Sequence, residues 1–180
     1  DFSYDNEKPE FTKKLKGFLI SKNLIKLDEW LGFVNSGGYK KKTLWSKEGW
    51  NWKCKNKVFH PLNWKMNKKS LSISTAYGYS KPKKDEPVSN ISFYELEAFA
   101  NSVKLKIPHE FEWEVASKNI LDKYKVWEWN KNKFSPYKNF IPYPYDEYSL
   151  PWFNKKYYTL RGASTFSEPE IKRKTFRNFY

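Results

Sequence analysis

Cysteine is nearly missing from this 180-residue chain; Cys54 is the only one. No intrachain disulfide framework can form. Histidine is almost as scarce, with His60 and His109 far apart and in no HxD or HxxE spacing. A two-histidine, one-carboxylate iron site is therefore not expected from this chain, nor a zinc knuckle or a Cys/His nucleophile. The seven glycines include no pair in a phosphate-cradling pattern. The longest apolar runs are about four residues, such as Gly17-Phe18-Leu19-Ile20, so no segment can span a bilayer. Arginine is the last shortage: Arg161, Arg173 and Arg177 are the only three among 34 basic residues.

What remains is aromatic and lysine-rich. Phe, Trp and Tyr make up 20% of the chain, which excludes disorder despite 30% charged residues. The net charge of +14 would suit a polyanion. However, phosphate and base-edge recognition favours the forked guanidinium, and the lysines are spread out, with no block longer than Lys40-Lys41-Lys42. A solvated lysine surface is expected, with no nucleic-acid and no membrane partner. The chain opens on Asp1, its only methionine is Met66, and no charged-then-apolar leader precedes it. The expectation is an internal or processed piece of a longer, cytoplasmic protein.

Residues 11–25 read as two short strands kinked at Gly17. Leu27, Trp30, Leu31 and Val34 share one helical face, which Gly37-Gly38 closes as a left-handed cap. Residues 39–66 read as a long loop carrying Trp45, Trp50, Trp52 and Trp64, as core or as a stacking platform. Lys69–Tyr79 reads as a strand or hairpin. Ser92 with Glu95 forms a capping box for a helix over 93–103, with Leu96, Phe99, Ala100 and Val103 as its buried stripe. A third helix follows Pro108; His109 stands at its N-terminal cap position. Glu110, Glu112 and Glu114 read as a solvated, dipole-matched first turn rather than a catalytic carboxylate pair. VWEW at 126–129 and YYTLRGAS at 157–164 suggest strands. Between them, KNFIPYPYDEYSLPWF at 138–153 is so aromatic and proline-bound that it is functional or buried under a partner. The fold class is α+β, helices beside a small antiparallel sheet.

Several of these motifs together resemble one superfamily. PVSNISFYELEAFANSVKLKIPHEFEWEVASK at 87–118, VWEW at 126–129 and LRGAS at 160–164 are similar to signatures of the formylglycine-generating, sulfatase-modifying-factor proteins. A narrower branch is similar over nearly the whole chain. Tyr4-Asp5-Asn6-Glu7-Lys8-Pro9, Gly37-Gly38-Tyr39, LWSKEGWNW at 44–52, PYPYDEYSLPWF at 142–153 and TFRNFY at 175–180 resemble the iron sulfoxide synthases of ergothioneine biosynthesis.

The resemblance implies a C-type-lectin-like fold with two or three helices, small antiparallel sheets and long ordered loops. It implies that residues 1–180 form one such domain, truncated at both ends. A DinB-like domain carrying a three-histidine iron site would precede it and lie outside this chain. The implied reaction uses Fe(II) and O2 to join a thiol, cysteine or γ-glutamylcysteine, to trimethylhistidine. This chain would bind no cofactor itself, would contact the small-molecule substrates, and would be inactive alone. The implied oxygen-handling tyrosine is Tyr143 or Tyr145, with Tyr137 in reserve. Arg177, Asn178, Phe179 and Tyr180 would face substrate. The chain departs from the family at Tyr124-Lys125, where a Gly-Asn supports a calcium loop, at His109 in place of a capping hydroxyl, and at Ala163 and Thr165. One cysteine excludes the copper formylglycine-generating chemistry itself. The alternative is a non-catalytic lectin-like module displaying a surface for a ligand or protein.

Overall fold

The computed structural model describes residues 2–67, 70–75, 77–153 and 156–180. The chain divides into two compact units. One joins Asp1–Asn23 to Pro108–Tyr180; the other is Leu24–Ile107. Both are α+β, and among the described residues there are four α-helices and two antiparallel three-stranded sheets.

The Leu24–Ile107 unit holds helices α1 (Leu27–Asn35), α2 (Lys47–Lys55) and α3 (Phe93–Ser102) and strands β1 (Trp64–Met66), β2 (Leu71–Thr75) and β3 (Gly78–Ser80). Helix α1 ends as its glycines dictate. Gly37 sits at φ +81, its N–H donates to Val34 and that of Gly38 to Phe33, which together make a Schellman cap. A side chain at Gly38 would run into the Phe33 ring. The core is aromatic: Trp30 stacks on Phe99 at 4.8 Å, and Phe33 meets both rings edge-on. The 39–66 segment is not one loop. Ser46 accepts from the Gly49 N–H at 3.2 Å and starts α2. Gly49 and the tryptophans behind it weaken helix propensity, which hides this cap in the sequence. The strand or hairpin expected over Lys69–Tyr79 is a three-stranded meander, with Trp64 opposite Ile73 and Ser74 opposite Tyr79. Lys69 and Ala76 lie outside the described residues.

The capping box on α3 is present: Ser92 Oγ accepts from the Glu95 N–H, and Glu95 Oε2 accepts from the Ser92 N–H at 2.7 Å. The buried stripe is rotated from the expected one. Glu95, Ala98, Phe99 and Ala100 are buried, Leu96 is half-buried, and Val103 is the exposed C-cap. The cause is Glu95 itself. Its other oxygen accepts from Tyr39 Oη at 2.7 Å, which pulls the capping residue into the core.

The other unit contains α4 (Glu110–Ala116) and strands β4 (Trp127–Lys133), β5 (Tyr158–Gly162) and β6 (Asn178–Phe179), in the order β4-β5-β6. Glu128 pairs with Arg161, Thr159 with Phe179, and a bulge lies between Trp129 and Lys133. No strand forms over 11–25. The segment carries no regular structure, its lysines face water, and Phe18 and Ile20 pack against the Trp113–Ala116–Ile120 cluster. Its carbonyl at Lys22 accepts from Leu121, without a neighbouring strand to continue a ladder. His109 does cap α4, through Nδ1 accepting from Phe111 N–H at 3.3 Å, with Glu112 returning to the His109 N–H.

Candidate functional site

The C-terminal end is fixed as an edge strand. Tyr158 and Tyr180 exchange both backbone hydrogen bonds, at 2.9 and 3.1 Å, and β6 continues that pairing. Phe179 then points into an aromatic cluster, stacked on Phe134 at 4.6 Å and on Trp152 at 5.6 Å. Tyr180 remains 78% exposed with its ring edge toward Trp129. Asn178 caps its neighbour, its Oδ1 accepting from the Phe179 N–H.

The 137–149 loop meets this end. Phe153 touches Phe134 and Phe140, so the loop's two arms share the cluster that holds Phe179. Within the loop the three candidate tyrosines differ. Tyr143 is 71% exposed and Tyr145 is 55% exposed. Tyr137 is half-buried, with the Arg177 guanidinium 4.1 Å above its ring and Arg161 Nη2 donating to its hydroxyl at 3.2 Å. Burial raises the Tyr137 phenol to about 12; Glu110 adds to this and the two arginines oppose it.

Behind the face lies a buried ion network. Glu110 is not a solvated first-turn acid: it is 2% exposed. Its Oε2 accepts from Arg177 Nε at 2.8 Å and from Arg161 Nη2 at 3.0 Å, and its Oε1 from Arg177 Nη2 at 2.9 Å. Burial pushes the Glu110 carboxyl up, but Arg177 and Arg161 outweigh it and hold it below the ordinary value. Arg161 also donates to Glu114 and to the carbonyls of Lys174, Thr175 and Phe176. Arg177 donates to the carbonyls of Asn6 and Ser135. Arg177 is thus 2% exposed and placed behind the face, while Phe179 and Tyr180 reach it. Glu128, opposite Arg161 on β4, has one carboxylate oxygen buried without a hydrogen-bond partner. Burial pushes this carboxyl up to about 7, and the Trp113 indole offsets only part of it.

Two groups at this site escaped the sequence reading: the Glu110–Arg161–Arg177 network and the turn Asp5–Glu7. Both lie inside quoted motifs, but spacing along the chain carries no sign that Asp5 and Ser149 are neighbours. Arg173 clamps Glu7 with two bonds, at 2.8 and 2.6 Å. Arg173 Nη1 also donates to Thr175 Oγ1 at 3.0 Å.

Nothing in this donor set fits a metal. Among the described residues no group of three or more His, Cys, Asp or Glu side chains could hold an ion. The His109 Nδ1 is occupied by its cap, and His60 lies in the other unit. No helix among the described residues is long and apolar enough to cross a membrane.

A small α+β unit thus presents exposed tyrosines and an aromatic C-terminal edge over a wall of buried charge. The chain belongs to the sulfatase-modifying factor enzyme 1-like domain family, whose model matches residues 1–125. It is 28% identical to hercynine oxygenase of Mycobacterium tuberculosis, over 98% of this chain and 52% of that protein. It is 25% identical to hercynine oxygenase of Mycolicibacterium thermoresistibile, over 99% of this chain and 50% of that protein. It is 24% identical to ergothioneine biosynthesis protein 1 of Schizosaccharomyces pombe, over 99% of this chain but 26% of that protein. The chain spans about half the length of the bacterial relatives it matches.

Proposed function

We propose that this chain is the substrate-side domain of a larger, cytoplasmic, iron(II)- and O2-dependent sulfoxide synthase of ergothioneine biosynthesis. The whole enzyme would join cysteine or γ-glutamylcysteine to trimethylhistidine. The observation that carries this is the match of nearly the full chain to about half of relatives named hercynine oxygenase. In this reading residues 1–180 are a C-type-lectin-like domain, and a DinB-like domain ahead of it supplies the three histidines. Bound there, Fe(II) would supply the oxygen chemistry. Among the described residues no cluster fits that metal, and in this reading they act on substrate and on protons.

Their placement supports the roles proposed for them. Tyr143 and Tyr145 carry exposed phenols on the loop that meets the C-terminal end, and a phenol can donate a proton where phenylalanine cannot. Tyr137 is the weaker candidate, because its hydroxyl is engaged by Arg161 and its ring covered by Arg177. Tyr180 offers its exposed ring to a trimethylammonium group, while Phe179, stacked on Phe134 and Trp152, anchors the edge that presents it. Arg177 acts through Glu110 and Tyr137 and supports the face from behind.

The test joins this chain to the iron-binding half of a relative. The folded graft is expected to form the sulfoxide from trimethylhistidine and a thiol with Fe(II) and O2. The chain alone is expected to form none and to bind Fe(II) far below one equivalent. Stoichiometric Fe(II) binding by the chain alone, or a folded, iron-loaded graft without product, would overturn the proposal.

A further inference from the structure

The stretch that presents Tyr143 and Tyr145 contains no strand and no α-helix; it is built of 3-10 turns at Asp146–Tyr148 and Leu150–Trp152. Something outside it must set its course. Buried beneath it are two side chains far apart in sequence, Asp5 at 2% exposure and Ser149 at 0%. The Ser149 hydroxyl donates to Asp5 Oδ1 at 2.5 Å and accepts from Asn6 Nδ2 at 3.3 Å. The Tyr143 N–H donates to Asp5 Oδ2 at 3.4 Å. One carboxylate therefore holds both ends of Tyr143–Ser149, with Tyr145 between them. The Tyr4 ring adds a third contact, stacked on Tyr148 at 5.5 Å.

The turn that carries Asp5 is anchored elsewhere. Glu7 is clamped by Arg173, and the Asn6 carbonyl accepts from Arg177 at 2.7 Å. Burial raises the Glu7 carboxyl, but the hydrogen bonds from Arg173, Thr175 and the Tyr4 N–H, with the Arg173 charge, together lower it, so the clamp is ionic at neutral pH. Asp5 therefore stays in place whether or not the loop is attached to it. Its chemistry is also specific. Two donors converge on it, and only a carboxylate offers two acceptor oxygens with no donor of its own. An amide at this position would turn its N–H2 toward one of those donors.

We infer that Asp5 is the positioning residue of the 143–149 segment, holding Tyr143 and Tyr145 at the candidate face through Ser149 and the Tyr143 amide. That the two tyrosines matter rests on the proposed function; that Asp5 places them does not.

Amide hydrogen exchange, resolved by segment, tests this without iron or substrate, so its outcome is separate from product formation by the graft. In Asp5→Asn, exchange over 141–149 is expected to rise about tenfold, while α4 and β5 stay within about twofold. Ser149→Ala should raise the same segment alone, and the double variant should add little, because both break one contact. Ser149→Ala keeps the test valid if Asp5→Asn does not fold. Unchanged exchange over 141–149 in Ser149→Ala, or a rise shared equally by α4 and β5, would overturn the assignment and leave Asp5 a general stabilising residue.

Discussion

The two units are held by different forces. In Leu24–Ile107 the centre is stacked rings, Trp30 on Phe99 with Phe33 at their edges, beside the buried acid Glu95. Hydroxyl and backbone donors from Tyr39 and Ser92 satisfy it. In the other unit the centre is ionic, with Glu110 between two buried arginines. Ring packing tolerates small displacements. A bidentate guanidinium–carboxylate network fixes direction, and here it ties α4, residues 135–137 and the C-terminal segment to one point. The ionic unit is also the one that carries the candidate face.

The largest expected effect breaks that network. Glu110→Ala strands two buried guanidiniums and should cost about 3–5 kcal/mol, read by denaturant unfolding. Phe99→Ala should cost a similar amount, about 3–5 kcal/mol, by cavity formation in the other unit. Acid separates the two cases. The Glu110 carboxyl is depressed in the folded state by Arg177 and Arg161 against burial. Its contribution is present above the ordinary value of 4.5 and is lost as pH falls through the lower folded value. Burial raises Glu95, so its effect has the opposite sign: stability falls as pH rises through its folded value. Exchange protection in α4 and β5 should therefore fail on acidification before that in α1 and α3.

Glu128→Gln sharpens the contrast inside the ionic unit. Its folded value of about 7 lies above the ordinary 4.5, so the native chain loses stability as pH rises between them. Replacing the carboxyl should stabilise the protein by about 3 kcal/mol at pH 9 and leave it unchanged near pH 4. A thermal midpoint measured at both pH values checks this. Smallest is Ser92→Ala, which removes the α3 cap and should cost about 1 kcal/mol by the same unfolding measurement.

Local chemistry made much of the fold legible. The Ser92–Glu95 box, the Gly37 cap and the turn after Pro108 each depend on residues a few positions apart, and each forms where the sequence places it. The rotated stripe of α3 and the burial of Glu110 depend on partners 50 or more positions away, such as Tyr39 for Glu95 and Arg161 for Glu110. Hydrophobic periodicity cannot register a charge that is buried because a distant arginine meets it. At the candidate site the motifs named segments, and exposure separates the residues within them: Tyr143, Tyr145 and Tyr180 outward, Arg177 inward.

The central claim is that the exposed tyrosines of the 137–149 loop take part in the reaction. The direct measurement is the rate and product ratio of the graft carrying Tyr143→Phe, Tyr145→Phe or Tyr137→Phe, each checked for folding and iron content. A large fall in sulfoxide formation or a changed product ratio is expected for Tyr143→Phe or Tyr145→Phe, and a smaller change for Tyr137→Phe. Unaltered rate and ratio in all three would contradict the account.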